Sequence, residues 1–516
     1  MQTTPVLIVG GSLVGLSAAL FLAWRKVPVI LVERHPGSSL HPRAMGFTER
    51  TLEYFRAAGI GGEVPQWDPN AKLRRARFES LSGEPLSETP WTPGKAPEEK
   101  AHLSPVTGAA IPQDKLEPIL RAAARARGAD LRLGVELLSF SQDATGVTAN
   151  VRDGTTGATD TIRACYLIAA DGANSPIREQ LGIDRQGVGY LRTLRSVLFR
   201  CPEADEALRH GIQQFEIEQP GFKAFLTTYG DGRWVLMFAD DQERGKEELR
   251  AAVERALGRP MDFEIITTGR WEMAGRIAER YQDGRVFLVG DAAHQLPPTR
   301  GGFGANTGID DAYNLAWKLE RVLASTSLPA LLDSYTPERQ PIGWLRHQQT
   351  FARPDYAPWV GDILKGEYLY GDAAMELGQL HRSDLILRAG PELPPAGHPE
   401  VWAGQPGTRA PHVWVEHAGE RVSTLDLFTR EFVLLSANAR WSAAAKAVDG
   451  IVQTYQVGRD VVFPADAPFT QAFGVSPEGA TLIRPDGLVC WRSIDLPADP
   501  VATLDTVLRQ VAAISA

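Results

Sequence analysis

The clearest pattern in this chain is a short apolar run that stops at glycine. Val6-Leu7-Ile8-Val9 carries no polar residue and ends in Gly10-Gly11, as a strand buried on both faces does. From Val14 to Lys26 alanine and leucine dominate, which predicts a helix. Val29-Ile30-Leu31-Val32 then repeats the buried-strand pattern and ends at Glu33. Strand, helix and strand in this order make a βαβ unit, the opening of a doubly wound α/β sheet.

The same reading continues along the chain. The stretch Pro85 to Pro105 is dense in Pro, Gly and charge and predicts a loop or an edge excursion. Gln113 to Arg127 predicts a helix and Tyr166 to Ala170 another buried strand. From about Leu191 to Arg270 the pattern changes to alternation. Phe225 to Tyr229, the turn Gly230-Asp231-Gly232 and Trp234 to Phe238 read as a β-hairpin, and Glu247 to Leu257 as a helix. Val286 to Val289 returns to the buried-strand pattern, followed by a helix over Ala312 to Leu323. Six prolines between Pro391 and Pro411 read as a linker. Beyond it lies a further unit with strand candidates at Phe432–Leu435 and Ala480–Ile483.

Composition narrows the class. The 516 residues are too many for one ordinary domain and suggest two to four. A net charge of −9 leaves no electrostatic footprint for nucleic acid or an anionic membrane. Cys165, Cys201 and Cys490 form neither a CxxC pair nor a metal spacing, so no metal is expected and a reducing cytoplasm fits. The N-terminal residues show no basic region with a cleavage site, and no apolar run is long enough to span a membrane.

Gly10-Gly11-Ser12-Leu13-Val14-Gly15 matches G-x-G-x-x-G except at Ser12. Gly10 serves the tight turn and Gly15 the close packing of helix on strand. A small residue at position 12 lets backbone N–H groups approach a pyrophosphate. The helix starting near Leu13 points its positive end at those phosphates. Glu33, at the end of the second strand, is placed to accept hydrogen bonds from an adenosine ribose. A Gly-rich turn alone binds nothing in particular; the ordered set of strand, turn, helix, strand and acid is what points to a dinucleotide.

Two further segments identify the resemblance. Asp171-Gly172-Ala173-Asn174-Ser175-Pro176-Ile177-Arg178 resembles the D-G motif of class A flavoprotein monooxygenases. Gly290-Asp291-Ala292-Ala293-His294, with Pro297-Pro298 and Gly301 to Gly308, resembles their G-D motif. Gln113 to Pro118, Trp271-Glu272-Met273, Arg285 to Leu288 and Asn314 to Leu319 are similar to the aromatic polyketide hydroxylases of the anthracycline type. The resemblance implies a fold like that of para-hydroxybenzoate hydroxylase: an FAD-binding domain over 1–185 and 271–390, a mixed-sheet substrate domain over 186–270, a linker at 391–411 and a thioredoxin-like domain over 412–516. That last domain would lack redox cysteines, with Leu482 to Gly487 and Cys490-Trp491-Arg492 as its signature.

The resemblance also implies roles. Gly10, Ser12, Leu13, Val14, Gly15, Glu33, Arg34, Arg43 and Gln113 would contact FAD. Asp291 would hold its ribityl and pyrophosphate portion; the bland alternative is a helix N-cap. Pro298, Gly301, Gly302, Phe303, Gly304, Ala305 and Asn306 would bring backbone N–H groups to the flavin pyrimidine edge, or form an ordinary Gly-rich helix entry. Asp171 and Arg178 would brace FAD and the nicotinamide cofactor, or make a structural ion pair. Histidine titrates near neutrality, which suits His294 to acid–base work, but it reads first as a structural member of the G-D loop. No side chain is assigned a catalytic role, since the flavin carries the chemistry.

The implied reaction is a monooxygenation. NADPH, or NADH, reduces FAD; reduced FAD and dioxygen give a flavin hydroperoxide that attacks an electron-rich ring of an aromatic polyketide, a tailoring step of natural-product biosynthesis. Baeyer–Villiger insertion, quinone-forming oxidation and a non-catalytic FAD- or polyketide-binding protein are the alternatives. Trp234, Leu236 and Phe238 share one face of the hairpin and would form an apolar substrate wall, unless that face is ordinary core. The expected partners are the small aromatic substrate and dioxygen, with a monomer or homodimer as the assembly.

Overall fold

Strands at the centre of the first sheet are apolar toward their carboxyl ends because both of their faces are covered there. The computed structural model describes residues 1–68, 73–91, 102–297, 303–448 and 451–515. Among these, the first sheet runs in the order Gln282–Asp283, Val286–Leu288, Thr159–Ala169, Gln2–Val9, Val29–Glu33, Asp130–Leu133. From Val286–Leu288 to Asp130–Leu133 every neighbour is parallel, with Ile8 opposite both Ile168 and Leu31. Strands Val135–Asp143 and Gly146–Asp153 extend it as an antiparallel meander on Thr159–Ala169.

Parallel strands bring their carboxyl ends to one edge, where ligands bind in such sheets. Val9, Glu33, Ala169 and Leu288 end there. The turns that follow carry Gly10, Asp171 and Asp291. Helix Leu13–Trp24 leaves this edge and packs between helices Gln113–Ala126 and Phe303–Leu323. It stops before the expected Lys26, whose backbone is in the left-handed region at φ 65°.

The second sheet is mixed. Its order is His294–Gln295, Glu264–Ala278, Arg185–Arg200, Arg233–Phe238, Phe222–Thr228, Gln214–Gln219, Arg75–Phe78, Ser87–Thr89. The last two strands come from before the expected insert, and Glu264–Ala278 runs across the expected boundary at 270. The long strands Arg185–Arg200 and Glu264–Ala278 pair over their length with register shifts, so one sheet runs across both expected domain boundaries. Part of Pro85–Pro105 is thus an edge strand; residues 92–101 lie outside the described residues.

One expectation is overturned here. Trp234, Leu236 and Phe238 are buried, and they pack with Phe199, Phe215, Leu249, Val253 and Leu257. That face is the core between the sheet and helix Lys246–Leu257. The strand alternates as expected, but the apolar face is apolar because its own helix covers it.

The stretch 391–411 is not a free linker. Trp402 is buried and donates through Nε1 to the Gly378 carbonyl at 2.8 Å. Gln379 bridges to Ala396, and Arg409 to Leu488. Its prolines and glycines shape a packed irregular segment. The C-terminal sheet then runs Val452–Gln456, Phe432–Ser436, Ala480–Ile483, Val489–Ser493, the first pair parallel and the others antiparallel. Helices Ala439–Ala447 and Pro500–Val511 pack together against it.

Candidate functional site

The site grows from the glycine turn. Gly10 sits at φ +108°, and a Cβ there would lie 2.2 Å from the Ala170 carbonyl oxygen. A Cβ on Gly15 would lie 1.9 Å from the Gly10 oxygen. Both positions exclude any other residue, which holds the helix start directly on the strand end. The Gly11 N–H donates to Glu33 Oε2 at 2.6 Å, and the His35 N–H to Glu33 Oε1 at 2.8 Å. Leu13 is buried beneath the turn and Val14 lies against Gly290 and Gly308.

Ser12 occupies the N-cap position but does not cap the helix. Its hydroxyl donates to Glu117 Oε1 at 2.8 Å and accepts from Gln113 Nε2 at 2.9 Å. The first-turn N–H groups have no acceptor within the helix, so they are available to an anion. Gln113 in turn accepts from the Arg43 N–H at 3.2 Å. Residues widely spaced in sequence, Ser12, Arg43 and Gln113, thus form one hydrogen-bonded rim. Arg34 lies further out, at the edge of an open hollow of about 430 Å³.

Asp291 is set deep in the molecule, yet it is solvent-accessible, so it faces an open cleft instead of packed protein. Burial pushes its carboxyl above the usual aspartate range, with His294 and Arg43 pulling the other way. A Cβ on Gly304 would lie 3.9 Å from the Asp291 carboxylate, so the first turn of helix Phe303–Leu323 stands beside it. Asp171 accepts weakly from the Ile177 N–H at 3.4 Å, and burial raises its pKa as well. Arg178 links the two motifs by donating to the carbonyls of Ala173 at 3.1 Å and Ala292 at 3.0 Å. It makes no hydrogen bond to Asp171, which acts on it only as a nearby charge.

Phe303, Ala305 and Asn306 turn their side chains away from this cleft. Phe303 is buried under Arg346, whose guanidinium lies 4.4 Å from its ring centre. Ala305 packs on the main core. Asn306 accepts from the Thr48 N–H at 3.1 Å and the Thr51 hydroxyl at 2.6 Å, which fixes the start of helix Glu49–Ala57. Only their backbone is left for a ligand. Pro298, Gly301 and Gly302 lie outside the described residues.

A turn that excludes side chains, two helix starts and a deep accessible carboxylate at one sheet edge fit a dinucleotide with a pyrophosphate. Two family patterns match this chain: residues 3–350 match an FAD binding domain, and residues 403–513 match the C-terminal part of aromatic-ring hydroxylases. This chain belongs to the FAD-dependent aromatic-ring hydroxylases. It is 39% identical to tetracenomycin A2 monooxygenase-dioxygenase of Streptomyces glaucescens, over 99% of this chain and 97% of that one. It is also 39% identical to 4-methyl-5-nitrocatechol 5-monooxygenase of a Burkholderia species, over 98% and 97%. A crystal structure of aklavinone-11 hydroxylase with FAD and aklavinone superposes with a TM-score of 0.88 at 36% identity, covering 99% of both chains.

The hydroxylase also carries features that the motifs did not reveal. Asp311 is buried behind the G-D turn and accepts from the Gly290 N–H at 3.1 Å; its carboxylate pairs with His294 Nε2 at 2.6 Å and Arg339 Nε at 2.8 Å. His294 is therefore part of the support beneath Asp291 and points into the protein. On the second sheet, the face opposite Trp234 carries Leu194, Ser196, Met237 and Trp271. This face meets the 41–43 loop: His41 Nε2 pairs with the Ser196 hydroxyl at 2.7 Å, and Tyr229 donates to the Pro42 carbonyl at 2.6 Å. The spacing Asp311, Asn314, Lys318 on one helix was the available signal for buried polar support, since residues three and four apart share a face. Among the described residues no group of His, Cys, Asp and Glu could hold a metal, and no helix is long and apolar enough to cross a membrane.

Proposed function

We propose that this FAD-dependent hydroxylase puts one oxygen atom of dioxygen onto a polycyclic aromatic substrate of the polyketide type, with NADPH or NADH as reductant, as a tailoring step in natural-product biosynthesis. Bound FAD supplies the redox and oxygen-activating chemistry. The observation that carries the substrate assignment is the half-buried pair Met237 and Trp271 on the sheet face set against the loop that leads to Arg43; Leu194 beside them is covered by Phe351 and Tyr356. A broad, mostly apolar wall orients a fused ring system and keeps water from the reacting centre. It replaces Trp234, Leu236 and Phe238 in that role. Tetracenomycin and aklavinone, named with two of the similar proteins, support the class.

On this reading Gly10 to Gly15 and the helix behind them hold the pyrophosphate, Glu33 and Arg34 the adenosine end, Arg43 and Gln113 the rim, and Asp291 the ribityl chain. The nicotinamide nucleotide docks by its phosphates on Arg185 and Arg276, with the buried charge of Arg178 behind them. These cations crowd one another: Arg185 is lowered to about 10, first by burial and then by the charges of Arg178 and Arg276. A phosphate relieves that repulsion. The C-terminal unit is a thioredoxin-like fold, supported by its strand order. Cys490 is buried in it and burial raises its thiol, which leaves no thiolate for exchange.

The deciding experiment offers purified protein NADPH, dioxygen labelled with heavy oxygen, and a panel of tetracyclic, naphthoquinone and single-ring phenols. One labelled oxygen in a ring-intact tetracyclic product is expected. Preference for a single-ring phenol overturns the polyketide assignment, in line with the nitrocatechol relative. A ring-expanded product selects Baeyer–Villiger chemistry. Arg185→Gln and Arg276→Gln are expected to raise the KM for NADPH and leave FAD content unchanged.

A further inference from the structure

The C-terminal unit touches the flavin-binding unit through a chain of buried charges that ends beneath the cofactor site. Arg409, inside the C-terminal family match, donates to Glu53 of helix Glu49–Ala57 through Nε at 2.9 Å and Nη2 at 2.5 Å, and both side chains are buried. Glu53 also pairs with Arg50 at 3.0 Å. The Arg50 guanidinium lies 4.4 Å from the Tyr54 ring centre, and the Tyr54 hydroxyl donates to Asp310. Asp310 pairs with Arg339 at 2.6 Å, Arg339 with Asp311 at 2.8 Å, and Asp311 holds both His294 and the Gly290 N–H.

The same helix reaches the site by a second route. Its start is fastened to Asn306 in the first turn of Phe303–Leu323, by way of Thr48 and Thr51, and Asn306 Nδ2 returns a bond to the Gly46 carbonyl at 3.2 Å. Helix Glu49–Ala57 is thus tied to the C-terminal unit through Glu53, through Arg50, which also donates to the Asp486 carbonyl at 3.3 Å, and at the surface through Arg56, while its start is tied to the backbone that borders Asp291. Arg409, Glu53, Arg339 and Asp311 are buried and Arg50 and Asp310 are mostly so, so water compensates little when one partner moves and each pair constrains the next.

We propose that Arg409 is a positioning residue for the flavin, acting through Glu53 on the Gly290–Asp291 turn and on the first turn of helix Phe303–Leu323. The C-terminal unit then takes part in holding the cofactor and is more than an appended scaffold. The idea needs only the FAD binding that family membership gives and is independent of the substrate.

The test uses the full-length holoenzyme and two readouts that need no turnover: the FAD dissociation constant, from flavin fluorescence, and the flavin midpoint potential. Arg409→Gln is expected to weaken FAD binding by roughly tenfold and to shift the potential, as loss of a charge-assisted contact in the chain would. The charge-swapped pair Glu53→Arg with Arg409→Glu is expected to recover part of both. Arg56→Gln is the control: Arg56 pairs with Asp426 across the same two units from the same helix, at 2.7 Å, but at the surface and outside the chain. It is expected to change neither readout. If Arg409→Gln does not fold, the double variant Glu53→Gln with Arg409→Gln carries the same expectation. Wild-type affinity and potential in a folded Arg409 variant overturn the proposal, and so does an equal change in Arg56→Gln, which would make it a matter of docking alone.

Discussion

Arg484 lays both arms of its guanidinium on Glu338, at 2.7 and 2.8 Å, and neither side chain has any accessible surface. Arg484 sits in the turn between two C-terminal strands, whereas Glu338 belongs to helix Tyr335–Phe351. Asp486, Lys318 and Asn314 complete the cluster. A buried pair of this kind is worth little against an apolar substitute, but breaking it leaves a charge stranded. Arg484→Met is therefore expected to cost about 3–5 kcal/mol of stability. Denaturant unfolding measures it; a loss below about 1 kcal/mol would mean that water reaches Glu338 once the arginine is gone.

On the proposed reading Asp291 holds the ribityl chain of FAD. Asp291→Ala is expected to weaken FAD binding by about 10- to 100-fold, the worth of one or two hydrogen bonds to a charged group. The protein should purify pale and take up flavin only when FAD is added in excess. Flavin content equal to that of the wild type would assign the ribityl chain to other residues.

Trp234 and Trp271 belong to opposite faces of one sheet, and the two should separate cleanly. Trp234→Ala opens a cavity between the sheet and helix Lys246–Leu257 and also abandons the Nε1 bond to Asp205 at 2.9 Å. The expected cost is about 3–5 kcal/mol of stability, with the apparent KM for aromatic substrate unchanged. Trp271→Ala should show the converse, a raised KM with a smaller loss of stability. Measuring KM and the unfolding midpoint on both variants checks the assignment of faces.

These cases mark how far the sequence could be read. Buried strands and the glycine turn were legible because a fully covered strand and a tight turn each permit few residue types. The hairpin alternation was legible too, but alternation names an apolar face without naming what covers it, and Trp234 went to the wrong partner. Helix Phe303–Leu323 begins well before Ala312 because Gly304 and Gly308 are tolerated inside it. A Cβ at Gly308 would lie 2.8 Å from Gly290 Cα, so close approach to the G-D turn requires a residue that ordinarily weakens helices. The chain from Arg409 to Asp311 joins residues remote in sequence, and only folding brings them together.

Histidines should shape the acid limb of the stability curve. His347 is buried, and its Nε2 accepts the Val188 N–H at 3.1 Å, so protonating that nitrogen would break the bond. Burial lowers its pKa from 6.5 to about 4. His381 and His412 are likewise lowered to about 4, burial again being the main cause. Between pH 6.5 and 4 the unfolded chain then binds protons that the folded protein refuses, and stability falls as pH falls through that window. For His347 alone the loss reaches about 3 kcal/mol by pH 4. Glu338 acts lower down: arginine and lysine hold its carboxyl well below the ordinary value of 4.5, so its contribution is complete above that value and is lost only beneath it. His347→Gln keeps an acceptor for Val188 and cannot be charged. Its unfolding midpoint, followed from pH 7 to pH 4, should fall less steeply than that of the wild type. Parallel curves over that range would mean that the His347 ring is solvated or finds a carboxylate partner when protonated.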